Sequence, residues 1–505
     1  MWCLASVLPG QTNVLTANYG NERTSANIEE YVLTTSNVTP AGFGKIGRFP
    51  VDGQIFAQPL YVGGALIAGA GVRNVVYVAT MHNTVYAIDA DEPASTSPLW
   101  SVNLGTSVSS DFLHLPEVRP ENGILSTPAI DLGRNAIYVV TDTFEKGVPV
   151  FRLHALDLSD GSEKFGGPVE IGAIVNGDGD ASEDGKIAFD PSQHIQRPGL
   201  LLANETVYIA FGSHGDEYPY HGWVMGYDAS FIQRQTAVFN STPQGGAGSI
   251  WQSGRGLAAD SSGDLYVASG NGDYDGASNF GQSFIKLSPS LSLLDWFTPK
   301  DWSTLSDGDY DLGSLGPVLV PGANQFIGGD KAGNMYLVDQ QRMGLLGAEG
   351  LSFPQIFQPI AYGGIFNIAL WDSARGLFIY VVEPGDATRA FRIVNGRFDT
   401  TAVSETGVNA DIAYQGMSIS AAGGDPATGI LWMTTGDHDV RGAIPGTLHA
   451  FDALDLTNEL WNSDMNGDQD QLGAFARFAA PTVANGRVYV PTFSNELAIY
   501  GLTAK

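Results

Sequence analysis

The densest run of chemistry-bearing side chains is His214-Gly-Asp-Glu-Tyr-Pro-Tyr-His221-Gly-Trp223, with two imidazoles, two carboxylates and three aromatic rings within ten residues. His214 and His221 with Asp216 or Glu217 form a donor set suited to a transition metal, and the aromatic rings, Trp223 among them, suit stacking on a sugar. The stretch equally reads as a long hairpin packed by its own side chains. Two acidic loops, Asn176-Gly-Asp178-Gly-Asp180 with Glu183 and Asp184, and Asp464-Met-Asn466-Gly-Asp468-Gln-Asp470, put oxygen donors at alternating positions, the spacing of calcium loops. Neither has the central glycine and terminal glutamate of an EF-hand. There is no Gly-x-Ser-x-Gly, His-Glu-x-x-His or P-loop motif, so hydrolase and nucleotide chemistry have no motif behind them.

What must position these groups is a repeat. Tyr77, Tyr138, Tyr208, Tyr266, Phe326, Tyr380, Trp432 and Tyr489 each sit in a short β-rich run, 52 to 70 residues apart. Each unit has a strand, a turn and a second strand, and Asp89, Asp157, Asp228, Asp339 and Asp452 end that second strand in five of them. A hydrophobic fraction of 43%, 63 glycines and no sustained 3.6-residue periodicity point to an all-β chain. Units of this length fit the four-stranded antiparallel blades of an eight-bladed β-propeller. The last unit, Pro481–Leu502, is one strand short, and Phe43–Val51 is a strand without a unit; pairing the two closes the ring and hides their edges. Residues 1–40 are then expected as an N-terminal arm outside the ring and 41–505 as a single propeller. Insertions at 106–122, 171–197 and 274–281 are expected to carry function on one face.

Fifty-four acids against 25 bases leave a net charge of −29, which repels nucleic acid and anionic membranes. Cys3 is the sole cysteine, which excludes an internal disulfide and a Cys-x-x-Cys-His haem attachment, so no haem is expected. No apolar run reaches 18 residues, so no membrane span is expected. The opening MWCLASVLPGQ reads as the trimmed end of a signal peptide, giving an extracellular or periplasmic expectation. The partners expected are a small molecule, a saccharide or an extracellular protein, with a monomer as the default.

The repeat, joined to the Gly-Asn of ASGNGD and the Asp-Lys of GGDKAGNMYLVD, resembles the eight-bladed propellers of the pyrroloquinoline quinone (PQQ) alcohol dehydrogenase superfamily over about residues 43–502. Phe56–Val62, Gly212–Ala229, Asp311–Pro317 and Phe478–Leu502 more closely resemble secreted, haem-free PQQ-repeat proteins of unassigned activity. The resemblance implies calcium ligands at Glu217 and Asn271, a catalytic aspartate at Asp311 that also faces the metal, and a quinone contact at Lys331. Calcium is a hard ion that takes six to eight oxygens, so carboxylate, amide and quinone oxygens suit it together. In such a site Asp311 is the general base on an alcohol and Lys331 stabilises developing negative charge, with electrons leaving to an external acceptor.

The departures are equally specific. With Cys3 alone, the disulfide that covers one face of the quinone in those enzymes has no counterpart. Their Trp floor falls on Gly254, with Trp251 three residues away; a further Trp falls on Arg477, and a usually small residue on His214. Two readings follow. The first is a secreted, non-redox binding propeller with a cation-capable site on its top face or axis. The second is a calcium- and PQQ-dependent alcohol or sugar dehydrogenase with an altered cofactor pocket.

Overall fold

The computed structural model describes residues 12–503 other than 116–117, 349, 361–362, 383, 411–413 and 437–443. It is an eight-bladed β-propeller of mostly four-stranded antiparallel sheets. The first strands of the blades are Leu60–Ile67, Ala129–Asp131, Leu201–Ala203, Ala258–Ala259, Leu315–Leu319, Ile368–Ser373, Met417–Ser420 and Thr482–Ala484. First strands of neighbouring blades touch one another, and together they form the inner wall of the ring. No helix among the described residues is long and apolar enough to cross a membrane.

The aromatic beat is the mortar between blades. All eight residues lie in second strands and are buried. The hydroxyls of Tyr77, Tyr138, Tyr208 and Tyr380 donate to the carbonyls of Leu158, Ala229, Pro289 and Ala453, each in the turn after the third strand of the next blade, at 2.6 to 3.0 Å. Three of those turns, after Asp157, Asp228 and Asp452, are shaped by the recurrent aspartates, and all five, with Asp89 and Asp339, accept the backbone N–H two residues on, an Asx turn that ends the strand.

The ring closes as its strand count requires. Phe43–Pro50 pairs antiparallel with Glu496–Leu502, from Phe43 opposite Leu502 to Pro50 opposite Glu496, as the outer strand of the eighth blade. Gly47 sits where this strand meets the first blade, and any Cβ there would collide with the carbonyl of Pro93.

The N-terminal arm does not lie outside the ring. It circles the axis against the inner strands and meets the blades in order: Val14 pairs with Tyr61, and the Leu15 carbonyl accepts from Ile130. Asn21 donates to Leu202 and accepts from Ala259, and the carbonyls of Glu22, Thr24 and Ser25 accept from Leu319, Leu370 and Ile419. Asn27 reaches the eighth blade by donating to the Val483 carbonyl at 2.7 Å. Arg23 is fully buried, with Nε on the Leu257 carbonyl and Nη1 on Thr16 Oγ1 and the Ala17 carbonyl, each at 2.8 Å. The partners that the blades offer here are main-chain groups, so they leave no pattern of side chains along the strands that receive the arm.

Candidate functional site

A pocket of about 470 Å³ opens on the axis at the end where the inner strands begin. Its lining comes from segments just ahead of first strands and from loops after second strands. One wall is aromatic: Trp251, Phe366, Tyr414 and Phe478 form a chain of ring contacts with centroids 4.7 to 6.1 Å apart. Trp251 is aimed by an unusual turn in which Gln252, Ser253 and Gly254 all have positive φ (46, 49 and 87°). Two of the three are not glycine, so the conformation costs energy that surrounding bonds must offset. Gln252 Oε1 accepts from Ala268 N, its Nε2 donates to the Arg255 and Gly256 carbonyls, and Ser253 Oγ donates to the Ser314 carbonyl.

Charged groups abut these rings, with Arg197 over the Phe478 ring at 4.5 Å. Lys331 Nζ lies 2.7 Å from Asp311 Oδ2 and 2.9 Å from Asp309 Oδ1, and 5.4 Å from the centre of the Trp251 ring. Asn271 joins them: its backbone N–H donates to Asp311 Oδ1 at 2.9 Å and its Nδ2 to Asp309 Oδ1 at 2.8 Å. Asp311 is almost wholly buried, and burial lifts its carboxyl above the usual carboxylate range against the opposing pull of Lys331. Burial acts against the Lys331 ammonium, but Asp311 and then Asp309 more than compensate and hold its pKa above that of an ordinary lysine. At neutral pH the lysine is therefore a cation.

Of the residues expected from sequence, Asn271, Asp311 and Lys331 come together. Asp216 also lines the pocket, fixed by Ser213 Oγ at 2.8 Å and the Tyr220 hydroxyl at 2.9 Å. Glu217 does not: left-handed backbone at Gly215 and Asp216 turns Asp216 inward and leaves Glu217 exposed, outside the lining. His214 and His221 do not form a metal pair. His214 is buried, and both ring nitrogens of His221 are engaged, Nδ1 by Thr242 Oγ1 and Nε2 by the Asp180 carbonyl. Trp223 is core, wholly buried in the third blade, and offers no face to a sugar. Arg477 lines the pocket. Among the described residues no three His, Cys, Asp or Glu side chains gather as a metal would require, in the pocket or in the acidic loops 176–184 and 464–470. Asp470, for one, is buried and accepts from Lys45 N and Asn466 Nδ2.

Sequence reasoning missed Asp309, Arg197 and three of the aromatic wall residues. A usable signal exists in hindsight. Arg197, Trp251, Asp311, Phe366, Tyr414 and Phe478 lie two to seven residues ahead of a first strand.

The donor set does not fit the calcium–quinone pair. Glu217 is out of reach, the Asn271 amide oxygen already accepts from Gln282 Nε2 at 2.8 Å, and the Lys331 ammonium stands between the two carboxylates a cation would need. Gly254 supplies no floor ring.

The eight-bladed fold is similar to that of two solved dehydrogenases. A quinohemoprotein alcohol dehydrogenase from Pseudomonas putida matches with a TM-score of 0.61 over 98% of this chain and 81% of its own, at 14% identity. A europium-containing methanol dehydrogenase matches with a TM-score of 0.50 over 96% and 82%, also at 14% identity. No family model and no curated protein matches the chain. Likeness at this identity is likeness of fold, so function has to be argued from the pocket.

Proposed function

We propose that the protein is a secreted, non-redox binding propeller whose axial pocket takes a neutral, polar, ring-bearing molecule of the saccharide class. The observation that carries this reading is a pocket of about 470 Å³ whose lining combines aromatic rings with charged groups. Its volume falls in the range of small-molecule sites, roughly 300–1,000 Å³. Sugars present C–H faces to aromatic rings and hydroxyls to carboxylates and ammonium groups, and the lining holds both kinds of group. Three described acids in the lining, Asp216, Asp309 and Asp311, are matched by three bases, Arg197, Lys331 and Arg477, a balance that favours an uncharged guest. Trp251 reports the test: a panel of mono- and disaccharides is titrated while indole emission is followed. Binding is expected in the micromolar to millimolar range, and Trp251→Ala is expected to weaken it at least tenfold. A panel without any response would sink the saccharide assignment.

The convergence of Asn271, Asp311 and Lys331 favours one other reading, a PQQ-dependent dehydrogenase of alcohols or sugars. There the buried Asp311 would accept the substrate hydroxyl proton and Lys331 would hold the developing oxyanion. Adding PQQ with calcium and an artificial electron acceptor to the purified protein decides between the two. Dye reduction that depends on alcohol and disappears in Asp311→Asn would replace the binding reading.

A further inference from the structure

The pocket has a neighbour. A groove of about 320 Å³ adjoins it, and Asp309, Lys331, Phe366 and Tyr414 line both spaces. Tyr310, Gly363, Gly364 and Pro384 line the groove alone, whereas Trp251 and Phe478 belong only to the pocket. Small-molecule sites begin at roughly 300 Å³, so a guest seated only in the pocket leaves a second site-sized space open next to it.

Tyr310 brings an aromatic ring to that space. The residue is 46% exposed. Its backbone N–H donates to the Leu305 carbonyl at 2.8 Å, and its ring packs so closely on Gly308 that a Cβ there would stand 2.5 Å from Cδ2 and Cε2. A half-exposed ring steadied by its own turn offers apolar area with little freedom left to lose, which is what stacking on the C–H face of a sugar requires. Two glycines keep the chain close by. A Cβ on Gly363 would stand 2.5 Å from Pro384 Cγ and one on Gly364 2.8 Å from Lys331 Cα, so this part of the lining is bare backbone. The charged pair common to both spaces has bonding capacity in hand. Asp309 takes its bonds from Lys331 Nζ and Asn271 Nδ2 at Oδ1, and its side chain is 64% exposed, so Oδ2 is open to hydroxyl donors. The Lys331 ammonium, engaged by Asp309 and Asp311, has a third proton to donate.

We infer that the groove is a second saccharide subsite, so that the guest is an oligosaccharide of at least two rings, one at Trp251 and the next at Tyr310, with Asp309 and Lys331 serving hydroxyls of both. This rests on the saccharide reading of the pocket. Glucose, galactose, mannose, xylose and N-acetylglucosamine are each compared by titration calorimetry with their own α- and β-linked dimers. At least one dimer is expected to bind tenfold or more tightly than its monomer. Tyr310→Ala is expected to cut that gain below threefold, whereas Trp251→Ala weakens monomer and dimer alike. Monomers that bind as tightly as every dimer, or a gain that survives Tyr310→Ala, would overturn the inference and leave a one-ring pocket. Silence from monomers and dimers together would remove the saccharide reading and the second subsite with it.

Discussion

The histidines near the pocket serve as buried neutral groups. Burial depresses His214 to a pKa of about 3 and His194 to about 4, and neither ring nitrogen of His214 has a hydrogen-bond partner. The unfolded chain takes up these protons near pH 6.5, whereas the folded chain resists until pH 3–4. Their contribution to stability is thus complete above about pH 6.5 and is lost as pH falls through that window. Denaturant midpoints measured from pH 7 to 4 should fall, and His214→Gln should flatten the slope by up to one proton, about 1.4 kcal/mol per pH unit. An unchanged slope would show that His214 is not held neutral. At this scale sequence was only partly legible. Asn271, Asp311 and Lys331 were found only through the resemblance of their short motifs to those of the PQQ dehydrogenases. Glu217 was misplaced because two consecutive left-handed residues, one of them the non-glycine Asp216, exchange the direction of neighbouring side chains, and nothing in the sequence announces that.

Among elements, the aromatic repeat and the aspartate slot work as a pair, the hydroxyl of one blade fastened to the Asx turn of the next. Replacing Tyr138 by Phe removes a 2.6 Å hydrogen bond to the Ala229 carbonyl and leaves that buried acceptor short of a partner. The expected cost is about 1–2 kcal/mol, read as a shift of the denaturant midpoint without a change in slope. A loss under about 0.3 kcal/mol would show that ring packing alone joins the blades. This layer was readable from sequence because each unit repeats the same contact at the same place. The aromatic wall of the pocket was not, since Trp251 stands seven residues ahead of its strand and Phe366 two, and loops of unequal length carry no common period.

For the whole molecule, closure is the decisive property. The strand Phe43–Pro50 covers Glu496–Leu502, and deleting residues 43–50 would leave that strand as a free edge. Such an edge invites pairing between molecules. The deletion variant is expected to elute as oligomers or to precipitate, as size-exclusion chromatography with light scattering would reveal; a stable monomer with an unchanged Tm would mean that the ring does not depend on this strand. The closing strand was evident from a missing partner at one end and a spare strand at the other.

The arm carries a consequence for biosynthesis. Residues 14–27 and 43–50 leave the ribosome before their partners, which run from Tyr61 through Ile419 and Val483 to Leu502. A nascent chain therefore holds its two fasteners in waiting while blade after blade is laid down. Only once residue 502 has emerged can the loop be sealed, so the propeller is assembled in sequence but locked all at once.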